Sequence, residues 1–136
     1  MTSMKFASLA ARIERFPIAG SFTISRGAKT EAVTVMAEVS RDGLTGRGEC
    51  VPYPRYGETP EATLAAIQAM QQAVADGISR QALQAAMAPG AARNALDCAL
   101  IDLEAKAAWR ACREIPSANA SCMAWMAASV ASGVSP

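Results

Sequence analysis

Residues 32–43, AVTVMAEVSRDG, constrain the fold more than any other stretch of the chain. Val33, Val35, Ala37 and Val39 fall on one side of an extended backbone, and Thr34, Met36, Glu38 and Ser40 on the other. This period of two predicts a strand with one buried face. Asp42-Gly43 then supplies a hairpin turn, and LTGRGEC (44–50) returns as the partner strand. Upstream, SLAARIERFPI predicts another strand, ended at Pro17, which cannot donate a ladder hydrogen bond. The intervening AGSFTISRGAKTEA is expected to be a functional or mobile loop, small and polar apart from Phe22 and Ile24.

After Cys50 the character changes. Pro52 and Pro54 force extended backbone, and Thr59-Pro60-Glu61 opens a helix with a cap, a proline at the first position and an acid at the positive end. That helix is expected to run to Asp76-Gly77. A second, SRQALQAAMA, is capped by Ser79 and stopped by Pro89-Gly90, and a third extends to about Arg110. Strands first and helices after predict an α+β domain: a three-stranded antiparallel meander followed by a bundle of three helices. Of the residues, 51% are hydrophobic but only 5% aromatic. Alanine supplies most of the excess, which favours thin, alanine-faced helices.

The chain contains no histidine. His-based acid–base catalysis, a Ser-His-Asp triad and a His metal site are therefore excluded within it. A net charge of +1, from charges mixed along the sequence, gives no basic stripe for nucleic acid. The expected compartment is the cytoplasm, without a signal-type apolar block or a membrane span. The four cysteines lack CxxC spacing and are expected to be reduced, with Cys50 a small buried residue.

The third helix carries Asp97, Asp102 and Glu104. Asp97 and Glu104 share a face, while Asp102 lies roughly 140° from Asp97, so convergence on one metal ion is not expected. Arg93 four residues before Asp97, and Lys106 four after Asp102, give both acids structural partners on the helix. Leu96, Leu100, Leu103 and Ala107 form the packing stripe.

The same helix, ARNALDCALIDLEAKAA, resembles the closing helix of the N-terminal capping domain in the enolase superfamily, where A-x-N-A-x-D-x-A-L-x-D-L-x-A-K recurs. ISRGAKTEA (24–32) and GRGECVPYPRYGETPE (46–61) resemble the dipeptide epimerases of the L-Ala-D/L-Glu type. The resemblance covers about residues 8–110 and implies an enolase-like capping domain over residues 1–111. It further implies proton abstraction beside a carboxylate, in which lysines and Mg²⁺ of a C-terminal (β/α)-barrel perform the chemistry. By this resemblance Arg26 partners a substrate carboxylate, Phe22 and Ile24 wall the pocket, and Tyr53 and Tyr56 close its other side. No catalytic residue, metal ligand or cofactor is assigned to this chain. Its implied partner is a dipeptide once a barrel is supplied; no nucleic acid or membrane is expected, and homo-oligomerisation stays open.

A barrel takes roughly 250 residues, whereas 26 follow Arg110. The lysines are Lys5, Lys29 and Lys106, none in the K-x-K base motif of the resembling enzymes. Residues 112–136 have the composition of coding DNA read in a wrong frame, so a truncated, inactive product is expected. A natural tail, disordered or forming one amphipathic helix, is the alternative. Two other functional readings stay open: a stand-alone α+β binding module, and one half of a split enzyme.

Overall fold

A computed structural model describes residues 7–24 and 27–114, without the side chain of Ile24. The readings of Arg26 and of the tail beyond Glu114 fall outside these described residues. Three strands come first: β1 (Ser8–Ile24), β2 (Gly27–Arg41) and β3 (Leu44–Cys50), antiparallel and in the order β1-β2-β3. Four helices follow: α1 (Pro60–Gln68), α2 (Gln71–Ala75), α3 (Arg80–Ala86) and α4 (Ala91–Glu114). Among the described residues, those up to Leu103 belong to one compact unit, and those from Glu104 to Glu114 to a second. The expected meander and helical order are present.

Two local expectations are corrected. The segment read as a loop, 19–32, is strand on both sides of residues 25 and 26. β1 does not end at Pro17; it shifts register between Pro17 and Phe22, and pairing resumes as Phe22–Lys29 and Ile24–Gly27. Pro17 is tolerated because β1 is an edge strand, and Gly20, at φ 88°, accommodates the irregularity that a side chain would oppose. The helix expected over 60–75 is also broken. Met70 bonds back to the Ile67 carbonyl at 3.0 Å, a tighter turn that separates α1 from α2. Thr59 and Ser79 cap as their types predict, accepting from the Ala62 and Ala82 amides at 3.1 Å.

One sheet face is apolar. Val35, Ala37 and Val39 are fully buried together with Ile67, Val74 and Leu83, one from each of the first three helices. From α4 come Leu96, Leu100 and Leu103 of the expected stripe, joined by Ala95 and Ala99. These alanines matter because β3 presents glycine to them. A Cβ added at Gly48 would stand 1.9 Å from the Ala95 carbonyl oxygen, and one at Gly46 would stand 2.1 Å from that of Ala99. Strand and helix thus meet backbone to backbone.

Between these glycines, Arg47 points to the opposite face. Its guanidinium pairs with Glu38 at 2.8 Å, and Arg12 approaches the same carboxylate at 3.2 Å. The two arginines, Arg12 foremost, hold the Glu38 carboxyl below its usual range. The Arg47 backbone N–H donates to Asp102 Oδ2 of α4 at 2.8 Å, so the helix also satisfies a donor of the edge strand.

Gly48→Ala is expected to force β3 from α4 and cost about 3 kcal/mol, the upper end of an overpacking penalty. Arg47→Ala, on the other face of the same strand, removes an exposed ion pair worth about 0–1 kcal/mol. Urea unfolding of the two variants checks the difference; equal midpoints would show that the strand–helix approach is not limiting.

Candidate functional site

The hairpin of β1 and β2 extends beyond the helix-covered part of the sheet, because its register resumes after the bulge. Directly paired antiparallel residues share a sheet face, so Phe22 and Lys29 stand together there. Lys29 Nζ lies over the Tyr53 ring, 5.6 Å from its centroid. Tyr53 in turn sits 6.0 Å from Tyr56, centroid to centroid, with planes inclined at 45°. Phe22, Tyr53 and Tyr56 are therefore linked through Lys29, a residue to which the sequence patterns assigned no site role.

The tyrosines are held by a short 3-10 turn, Pro54–Tyr56, that closes on Gly57 at φ 73°. A Gly57 N–H bond to the Pro54 carbonyl at 3.0 Å completes it. Proline fixes the entry and glycine the left-handed exit. Tyr56 is 75% exposed and Phe22 58%, so both offer apolar surface to a ligand or a covering partner. A cleft of about 440 Å³ runs between hairpin and turn, lined by Ile18, Lys29, Val33, Val51, Pro52 and Pro54. Another, of about 470 Å³, lies on the α4 side, lined by residues including Cys50, Tyr53, Tyr56, Glu58 and Asn94.

Glu58 joins these parts. Its Oε2 accepts from the Tyr53 N–H at 3.1 Å, and its Oε1 from the Ala91 N–H at the start of α4 at 2.8 Å. Sequence reasoning missed it, because an acid before Thr-Pro-Glu looks like part of the α1 start. Only the fold brings the beginning of α4 alongside.

Asp97 and Asp102 of α4 have structural partners, and that of Asp97 differs from expectation. Asp97 pairs with Arg80 of α3, at 2.9 Å to Nε and 3.4 Å to Nη2, rather than with Arg93. Arg93 instead donates to the carbonyls of Gln84 and Met87, at 3.3 and 3.4 Å. The planar fork of Arg80 meets the carboxylate side-on, a geometry that a neighbour on the same helix matches less well. Among the described residues, no three of His, Cys, Asp or Glu stand together as metal ligands. Nor is any helix there long and apolar enough to cross a membrane.

Cys50 is buried and its thiol donates to the Val35 carbonyl oxygen at 3.6 Å. Burial, then the negative charges of Glu58 and Glu49, push it up from 9.0 to about 11. It is therefore a packing group rather than a nucleophile at neutral pH.

The described residues form an α+β domain in which an alanine-faced helix packs on a glycine-bearing strand. Residues 7–114 match the pattern of the mandelate racemase / muconate lactonizing enzyme N-terminal domain, and the chain belongs to that family. Its sequence is 45% identical over 68 residues to the L-Ala-D/L-Glu epimerase of Escherichia coli K12, which covers 50% of this chain and 21% of the relative. An enolase family member from Agrobacterium tumefaciens, with homology to dipeptide epimerases and holding sodium and L-Ala-L-Glu, superposes with a TM-score of 0.73 at 58% identity. That match covers 75% of this chain and 31% of the other. The dipeptide epimerase of Enterococcus faecalis V583, complexed with Mg and L-Leu-L-Tyr, gives 0.65 at 30% identity over 77% of this chain and 32% of its own. The chain thus spans a third or less of these relatives' lengths.

Because the folded state keeps the Cys50 thiol neutral while the unfolded chain ionises it from about pH 9, its stabilising contribution is complete below pH 9. It is lost as pH rises toward 11. The urea midpoint should fall over that window, and Cys50→Ala should fall less steeply. Parallel profiles for the two chains would contradict the assignment.

Proposed function

We propose that this chain is the substrate-selecting cap of a dipeptide epimerase. The observation that carries the reading is the 58% identity, over 75% of the chain, with a protein whose structure holds L-Ala-L-Glu. The arrangement of Phe22, Lys29, Tyr53 and Tyr56 supports it, since a cap needs an apolar wall and a fixed cation at one end of a small, charged substrate. Arg26, two residues after Ile24 in the sequence, is assigned to a dipeptide carboxylate, whose two oxygens suit the planar guanidinium. Phe22, Ile24, Tyr53 and Tyr56 then exclude water, which strengthens that pair.

Inverting a stereocentre beside a carboxylate requires a base on each side of the carbon. Among the described residues the lysines are Lys29 on β2 and Lys106 on α4, and neither belongs to a K-x-K pair. The described residues also do not fit a Mg²⁺ site, and no step assigned to this chain runs through a metal. We therefore assign proton transfer and metal binding to a barrel domain, and to this chain only selection and closure.

Two measurements test the reading. The 136-residue chain, incubated in D₂O with Mg²⁺ and L-Ala-L-Glu, should exchange the α-proton no faster than buffer; faster exchange abolished by EDTA would overturn the division of labour. Joined through residues 1–110 to the barrel of the Agrobacterium relative, an active hybrid should lose about ten- to a hundredfold in kcat/KM on Arg26→Ala. Equal values in the two hybrids would remove Arg26 from the site.

A further inference from the structure

We infer that Glu58 is a positioning residue: a clasp that sets where Tyr53 and Tyr56 stand by tying their turn to the start of α4. The inference rests on the proposed role of those tyrosines as a substrate wall, but its geometry is independent of any ligand. Each carboxylate oxygen of Glu58 accepts one backbone N–H, and the donors lie 38 residues apart, Tyr53 at 3.1 Å and Ala91 at 2.8 Å.

Both ends of the clasp have a local cause. α4 begins after Gly90, whose carbonyl accepts the first helical bond from Asn94 at 3.1 Å. Glycine has no side chain to cap the next amides, so the cap comes from Glu58, and the positive end of a 24-residue helix favours its charge. A side chain at position 90 would interfere, since its Cβ would meet Glu58 Oε1 at 2.8 Å. At the other end, the Tyr53 amide precedes the Pro54–Tyr56 turn and is not used by it; the turn closes instead through Tyr56 N–H to the Tyr53 carbonyl at 2.9 Å. The amide is thus left for Glu58. One side chain thereby fixes the turn on a rigid helix, and the turn fixes the tyrosine next to Lys29.

Glutamine in place of Glu58 keeps the length but offers one acceptor and turns a donor toward the other N–H. The test uses NMR on the 136-residue chain, without substrate, comparing wild type with Glu58→Gln. In wild type, the Tyr53 and Ala91 amides should be protected from exchange, and the Lys29 ε-methylene protons should be shifted upfield by the Tyr53 ring. In Glu58→Gln, exchange at Tyr53 and Ala91 should accelerate by about tenfold or more and the Lys29 shift should vanish, while Ala99 and Leu103 in the same helix keep their rates. Uniform acceleration at all four amides would reduce Glu58 to a general stabiliser and overturn the inference. An unprotected Tyr53 amide in wild type would also overturn it, and this result decides the matter even if the variant does not fold. A clasp verified in this way, beside an Arg26→Ala hybrid with unchanged kcat/KM, would leave Glu58 in place and remove only Arg26 from the substrate site.

Discussion

The backbone contact of β3 with α4 is the constraint from which the rest of the domain is arranged. Gly46 and Gly48 let the strand approach so closely that the carbonyls of Ala95 and Ala99 occupy the space their side chains would take. Such an approach requires small residues on both partners, and it explains why Ala95 and Ala99 accompany the leucine stripe. It also fixes the helix along the strand, because the two contacts are spaced two residues apart on β3 and four apart on α4. Asp102 accepting from the Arg47 N–H then closes the same edge with a charged acceptor.

Once α4 is fixed against β3, its first turn has a defined position, and Glu58 can reach the Ala91 amide. Tyr53 and Tyr56 are thereby carried on a short turn anchored to a rigid helix. The hairpin arm of β1 and β2 is anchored in the same way, by pairing that resumes after the bulge. Two acids of the helix serve this framework: Asp97 joins α3 to α4 through Arg80, and Asp102 joins α4 to β3.

Much of this was legible from one-dimensional pattern. The alternation over 35–40, the Asp42-Gly43 turn and the caps at Thr59 and Ser79 each depend on neighbours within a few residues, and each is present; at the start of the run Thr34, expected on the outer face, is buried instead. The break at Met70 and the continuation of β1 past Pro17 were not legible. The first is a local tightening with no glycine or proline to signal it. In the second, a proline that would stop a central strand sits on a sheet edge, where the missing donor costs little.

By itself, then, the sequence determined the order of elements, the buried face of the sheet and the stretches that resemble a capping domain, because periodicity, capping and turn chemistry act over short range. Tertiary structure alone decided the partners. Arg80 rather than Arg93 meets Asp97, the Arg47 amide meets Asp102, Lys29 lies over Tyr53, and Glu58 spans from Tyr53 to Ala91. Apart from the short Tyr53–Glu58 step, these contacts join residues 17 to 55 positions apart, and no helical or strand period reports such a distance.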